Sequence, residues 1–582
     1  MLAADTGLGL APWELKLFLK ELDLGDDDRV SADRFCGIYT FLASRPPTPA
    51  APPATAPSTE PVEAAAAAPA APEPGVTTEP VVTTSAPAVP GDEAAKTREE
   101  PRTPIGVPFP PEFVLDPTGV VPVERADWSF CVTDEPPSVE SRWRRADGAG
   151  QCAAYPFLGA ARAPQSRAVR SDASSSSSPR RLPAASALAA LHAAPSTDGV
   201  DAFAAHPNEV SGVFHAFHQL LRFELGVDAA AADAGAGWWR CDKSAFLDLQ
   251  SVYGASEDET NAARIDESSI DVAFVMRRAD LASRLAGDLG GSGSATAAQA
   301  LLTLFAKNHN LLAARVAEKM KDEDADSVFQ VARHANCAAF RAVVLKDYLP
   351  FMRSGQHLAH VPEDSNEAPR GACVSVELDL LMRAVASAAP RETETDGDSH
   401  EEASSSVAEA LARASARRCG LGARRSLPAR MAPSEAAAVR RARAAGACTL
   451  NAFRAAHGLA RWVDFDEMTA GEEALIQTLA DLYGGNVDDV ELYTGFMCER
   501  NVADTGACLT ATARETAGRM LRALVSGDAF FSEKFLSGDD MAAAAEAAEF
   551  GKDASLAGLL EEHAGVTVAG ASAFEVGALV MK

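Results

Sequence analysis

The sequence predicts a mainly α-helical protein. Three observations carry that expectation. Apolar residues recur at helical spacing from about Val210 to Val344, and again over Ser434–Leu459 and Glu472–Phe531. Alternating strand patterns are scarce. No fixed-period repeat divides the chain, which excludes a solenoid. At 582 residues there is room for about two to four units, one of them large. The 47% hydrophobic content is swollen by alanine, and aromatics supply only 6%. Alanine adds little buried area, so the core must come from windows rich in Leu, Val and Phe.

The first unit occupies residues 1–44. Pro12–Leu22 reads as a helix with proline in its first turn, and an acidic loop, Asp23–Arg34, separates it from the apolar run Phe35–Leu42. This helix–loop–helix resembles an EF-hand. Calcium takes oxygen ligands at loop positions 1, 3, 5, 7, 9 and 12, the last a bidentate Glu. Asp23 and Asp27 fit positions 1 and 5, and Val30 fits the apolar position 8. Gly25 has no side-chain oxygen at position 3, Asp28 replaces the turn glycine, and Arg34 puts a cation where the Glu belongs. The expectation is a degenerate loop that binds no calcium, serving as a small module that docks a protein partner.

Residues 45–104 are Pro, Ala, Thr and Glu with almost no large apolar side chains. Such a stretch cannot offset its ordering entropy and reads as a disordered linker. Patterned sequence resumes near Ile105, giving a main domain over 105–560 and a C-terminal tail over 561–582. Within that domain, residues 386–432 are rich in Ala, Ser, Glu and Arg and read as a poorly ordered, low-complexity insertion.

Charge and targeting exclude several classes. Acidic residues outnumber basic ones 82 to 53, for a formal charge of -29. That opposes a sequence-independent grip on nucleic acid and disfavours an anionic membrane surface. The N-terminus has no basic and apolar leader pattern, and no stretch approaches the ~18 apolar residues of a spanning helix. Ten cysteines are scattered without a CxxC pair, as expected of reduced thiols in a cytoplasmic protein.

The chemistry-bearing segment of the main domain starts at His206–Phe223, an amphipathic helix after a Pro-Asn turn. Phe214, Phe217, His218 and Leu221 share one face at i, i+3, i+4 and i+7. By spacing alone, His218 reads as a satisfied core histidine. His215 and His218 also stand one turn apart, at the spacing of a metal-chelating pair. Further motifs follow in order: Phe246–Gly254, Leu301–Ala313 with Asn308-His309-Asn310, Val328–Arg333, Lys346-Asp347-Tyr348-Leu349-Pro350, Cys448–Arg454, Leu482–Tyr493 and Val525–Phe531. Together with Arg145–Gly148 and Leu158–Ala161, which are similar to a DG…LGAA loop, they resemble the animal-type haem peroxidase superfamily. The branch they look most like is that of the cyclooxygenases and the fungal fatty-acid dioxygenases such as linoleate diol synthase. The resemblance spans about 140–535.

That resemblance implies a helical domain holding haem b between two helices. A distal histidine would move the proton that splits a peroxide O–O bond, and a proximal histidine would ligate iron. In the fatty-acid branch a tyrosine radical abstracts hydrogen from a polyunsaturated chain, to which O2 adds. By motif position His218 is the distal histidine, and Phe214 stands where the cyclooxygenases have a distal glutamine. The proximal helix of the family reads V-E-F-N-L-L-Y-R-W-H. The matching stretch here is Val376-Glu377-Leu378-Asp379-Leu380-Leu381-Met382-Arg383-Ala384-Val385. Met382 therefore occupies the radical-tyrosine position and Val385 the iron-ligand position. Two readings follow. One is a haem-dependent enzyme that oxidises polyunsaturated fatty acids with O2 or reduces peroxides, with a fatty acid or hydroperoxide as its small-molecule partner. The other is a catalytically inactive scaffold of the same fold that binds a lipid or a protein.

Overall fold

The computed structural model describes residues 143–582 apart from 152–158, 164, 166–167, 170–181, 198–199, 227–240, 267, 273–291, 322–323, 354–372, 391–405, 423–425, 503–505, 509 and 532–550. All of these lie in the second of two units into which the chain divides, Arg98–Lys582. The EF-hand-like unit with Asp23 and Asp27, and the linker 45–104, fall outside the described residues.

Helix α1 spans Ala185–His192 and precedes a minimal hairpin, β1 Ser196–Thr197 with β2 Val200–Asp201. Then come α2 Gly212–Glu224, α3 Gln250–Tyr253 and α4 Glu257–Ala263. The long α5, Ser292–Lys319, packs along α6, Ala325–Val343, which continues through a π-helical turn at Val344–Tyr348 into a last turn at Leu349–Arg353. Helices α7 Val376–Ala386, α8 Val407–Ala416, α9 Ala432–Ala444 and α10 Leu450–Ala456 follow. The last set is α11 Phe465–Thr469, α12 Glu473–Tyr483, α13 Leu492–Cys498, α14 Ala511–Ser526 and α15 Leu556–Ala564. An antiparallel hairpin, β3 Val566–Val568 with β4 Leu579–Met581, closes the chain.

Two helices form the middle of this assembly. Every residue of α2 and every residue of α7 is buried. A helix buried all round must be apolar or must have its polar groups satisfied inside. α2 packs against α5, α7 and α8, and α7 packs against α2, α13 and α14. Phe214, Phe217, Leu220 and Leu221 are at most 1% exposed, and burial of each contributes roughly 1.5–3 kcal/mol. α2 starts without a side-chain cap. Its first-turn N–H groups are instead met by neighbouring backbone, Ser211 N donating to Phe574 O and Gly212 N to Arg417 O. A Cβ at Gly212 would lie 2.8 Å from Ala414 O, so the approach of α2 to α8 requires glycine there. α7 is capped by Ser375, whose Oγ accepts from Leu378 N, and carries Glu377 and Asp379 in its first turn, where the helix dipole favours carboxylates.

The structure differs from the sequence expectation in two places. Residues 386–432 were expected to be poorly ordered, yet Val407–Ala416 form a helix capped by Ser406. Ser406 and Glu409 make a reciprocal capping box, and Ala410, Leu411 and Ala414 are buried. Small side chains at helical spacing let α8 lie close to α2 and α5, a packing contribution that large-residue counting misses. The C-terminal tail, 561–582, is also part of the core. Phe574 is fully buried against Phe214, Phe217, Tyr348 and Phe351. Val576 N donates to Glu209 O and Gly577 N to Ser415 O, tying the tail to the start of α2 and the end of α8. Among the described residues no helix is long and apolar enough to cross a membrane.

Candidate functional site

The residues singled out by the sequence gather where α2 faces α7. His218, on α2, is fully buried. Its Nε2 lies 2.8 Å from Met382 O, and its Nδ1 lies 2.6 Å from the Tyr348 hydroxyl. A carbonyl can only accept, so Nε2 carries the proton and donates to Met382 O. Nδ1 then accepts from the Tyr348 O–H. Both ring nitrogens are thereby used. One turn earlier, His215 Nε2 donates to Ala386 O at 3.1 Å. Two histidines at i, i+3 on α2 therefore hold two carbonyls at i, i+4 on α7.

Electrostatics keep this clamp neutral. Burial, aided by nearby Arg222, holds the His218 imidazole well below its usual range. Burial takes His215 down to about 4 despite its bond to Ala386 O. Burial pushes the Tyr348 phenol well above its usual range. An imidazole that donates through Nε2 and accepts through Nδ1 is neutral, so the hydrogen-bond pattern and the titration shifts agree.

Phe214 stacks on Tyr348 with ring centroids 5.4 Å apart and 9° between planes. With Phe217, Phe351 and Phe574 it forms an aromatic packing around the hydroxyl end of the clamp. Met382 is fully buried, and Val385, 7% exposed, follows it three residues on along α7. The structure thus brings His218 to the backbone of the Met382 position and sets Phe214 behind Tyr348. Sequence reasoning used Tyr348 only as a motif marker, because a partner 130 residues away leaves no local signal. The i, i+3 spacing of His215 and His218 would suit a metal, but no third ligand is near in sequence, and the His215 Nε2 is taken by a carbonyl. Among the described residues no group of three His, Cys, Asp or Glu side chains is placed to hold a metal ion.

The opposite face of α7 is anchored by charge. Arg383 donates to Glu435 at 3.0 Å, and the same carboxylate accepts from His192 Nδ1 at 3.1 Å and from the Tyr493 hydroxyl. Burial alone would raise the Glu435 pKa, but His192, Arg383 and Tyr493 pull it down to about 2. One turn earlier, Asp379 receives Arg441 through two contacts of 3.1 and 3.2 Å. α7 is therefore pinned from α2 by neutral histidines and from α9 by ion pairs.

This geometry can be tested against a planar porphyrin. A ring inserted between two protein atoms needs a van der Waals contact of ~3.5 Å on each face, or about 7 Å between the flanking atoms. Here His218 Nε2 and Met382 O are 2.8 Å apart and bonded to each other. Val385, at the position where the resemblance places the iron ligand, is aliphatic and has no lone pair to offer. The residues present do not fit a haem.

The sequence pattern that describes animal haem peroxidases matches residues 239–363 and 432–571. Helices α2 and α7 fall outside both matched stretches. Among solved structures, a fatty acid alpha-dioxygenase from Oryza sativa is similar at 15% identity, with a TM-score of 0.56 over 75% of this chain and 87% of that one. The fatty acid alpha-dioxygenase of Arabidopsis thaliana is 13% identical, with a TM-score of 0.56 over 76% of this chain and 85% of its own. Peroxidase A from Dictyostelium discoideum is 14% identical, with a TM-score of 0.52 over 72% of this chain and 96% of its own. No curated protein sequence matches the chain.

Proposed function

Taking as premise that the chain carries the haem-peroxidase-like fold, we propose that it is a haem-free, catalytically inert version of that fold, acting as a scaffold. One observation carries this reading: the hydrogen bond from His218 Nε2 to Met382 O occupies the layer between α2 and α7 where the resemblance expects a cofactor. The side chains agree with it. Met382 has no phenol to oxidise, and Val385 has no donor for iron. In this reading the EF-hand-like unit of residues 1–44 supplies a docking module for a protein partner, and Asp23 and Asp27 bind no calcium.

A second reading has one observation in its favour, the shared fold of two fatty acid alpha-dioxygenases. It makes the chain a haem-dependent oxidase of fatty acids, similar to the linoleate diol synthase branch. Titration with haemin separates the two. The scaffold reading expects no sharp Soret band and no stoichiometric uptake, for wild type and equally for a Met382→Tyr/Val385→His double variant. The double variant restores two side chains but leaves the backbone carbonyl of residue 382 bonded to His218. Haem bound near 1:1 by wild type, with oxygen uptake on linoleate, would establish the second reading instead.

A further inference from the structure

We infer a small-molecule site outside the α2–α7 layer, for a neutral, mostly apolar ligand of about nine heavy atoms bearing one hydrogen-bond donor. The site is a cavity of about 230 Å³ between α9, residues 446–448 and the start of α13. No residue of α2 or α7 lines it. Its walls are apolar: Val439, Ala442 and Leu492 are at most 8% exposed, Ala447 lies at its edge, and Leu182, 49% exposed, forms part of the rim.

Size and charge define the ligand. A cavity of roughly 150 Å³ lined by apolar side chains holds benzene, so scaling by volume gives about nine heavy atoms here. The charged residues of the lining are Arg443 and Glu491, and they neutralise each other. Arg443 Nε donates to Glu491 Oε1 at 2.6 Å, and Nη2 donates to Oε2 at 2.8 Å and to Pro183 O at 2.7 Å. With these charges spent on each other, the lining has no net charge to balance an ionic ligand, which favours a neutral one. Among the described residues, Glu491 Oε2 accepts from Arg443 and Tyr483 while Oε1 takes a single hydrogen bond, which leaves it a second lone pair for a ligand N–H or O–H. The back wall includes Tyr493, whose hydroxyl donates to Glu435 on the far side, so the cavity abuts the carboxylate that anchors Arg383 of α7.

Indole, with nine heavy atoms and one N–H, is the probe. Ligand-observed NMR on the full chain should give saturable binding of indole at about 1:1. Indene, its isostere without the donor, should bind at least fivefold more weakly. An Ala447→Phe variant, which fills the cavity from its partly exposed edge, should weaken indole at least tenfold. In wild type, intermolecular NOEs should run from indole to the methyl groups of Val439 and Leu492, a readout independent of any variant. Absence of saturable binding, equal affinity for indole and indene, undiminished affinity in a folded Ala447→Phe protein, or NOEs to other methyls would each overturn the assignment.

Discussion

Replacing His218 with alanine tests the closed layer through stability alone, without any cofactor. The substitution removes a fully buried ring and two hydrogen bonds. Truncating a buried ring of this size leaves a cavity worth about 2–3 kcal/mol, below the 3–5 of a Phe→Ala change because imidazole is smaller and more polar. The Tyr348 O–H is then a buried donor without an acceptor, at roughly 1–3 kcal/mol. Met382 O loses its imidazole donor but sits on a helix, so its share is small. The sum is about 4 kcal/mol. His218→Phe refills the volume and leaves only the orphaned hydroxyl, so it should cost about 2 kcal/mol. Urea unfolding followed by fluorescence measures both. With an m-value of about 3 kcal/mol/M, the midpoint should fall by roughly 1.3 M for alanine and about half that for phenylalanine. A side chain kept for catalysis is commonly a burden on stability, and its removal is then neutral or stabilising. A midpoint change under about 0.2 M for His218→Ala would refute the reasoning, because a ring bonded to both α7 and Tyr348 cannot be lost so cheaply.

Two further outcomes follow from neighbouring groups. His215 is neutral in the folded protein down to about pH 4, whereas in the unfolded chain it titrates near 6.5. Below 6.5 the unfolded state binds the extra proton, so His215 supports stability fully above that pH and its contribution is lost as pH falls towards 4. His215→Gln should therefore flatten the acid limb of stability against pH by up to about 1.4 kcal/mol per pH unit between 6 and 4.5, and an unchanged slope would place His215 in water. Glu435→Gln should destabilise by about 3–5 kcal/mol, since it strips the buried Arg383 and His192 of their shared carboxylate. The same variant should hasten amide exchange along α7, measured by mass spectrometry, and unchanged exchange there would remove Glu435 from its role as the anchor of that helix.

The helical class and the two central helices were legible because their signals are local. A Pro-Asn turn announces α2, and α7 is marked by the resemblance of Val376–Val385 to the proximal-helix motif. The identity of the facing residues was legible through motif order, which brought His218 and Met382 into one argument although 164 positions separate them. What the sequence concealed has a common physical cause. The acceptor for His218 is a backbone carbonyl, which every residue type offers, so no side chain at 382 could have announced it. Tyr348 is delivered by a π-helical turn at the end of α6, and a one-residue change of helical register has no compositional mark. Helix α8 and the Phe574 segment were underrated for the opposite reason. Their sequences look poor in core formers, yet Ala414 packs because it is small, and a single phenylalanine suffices to seat the tail on the aromatic group around Tyr348.

The manner of closure bears on how the fold could lose a cofactor and still hold together. Removing a porphyrin layer would leave facing helices with an apolar gap between them, and gaps of that size destabilise in proportion to their volume. In this chain the gap is absent because α2 meets α7 directly. The donors are the histidines of α2, and the acceptors are main-chain groups of α7 that no substitution can delete. Phe214 and Tyr348 fill the flank, with Phe574 of the C-terminal segment packed against both. The arrangement therefore makes the C-terminal segment part of the seal, and it places the cost of reopening the layer on several elements at once. That is why restoring the side chains at 382 and 385 is expected to be insufficient. A porphyrin would have to displace two buried hydrogen bonds and the α2–α7 contact together, and the binding energy of one new axial ligand would be set against all of them.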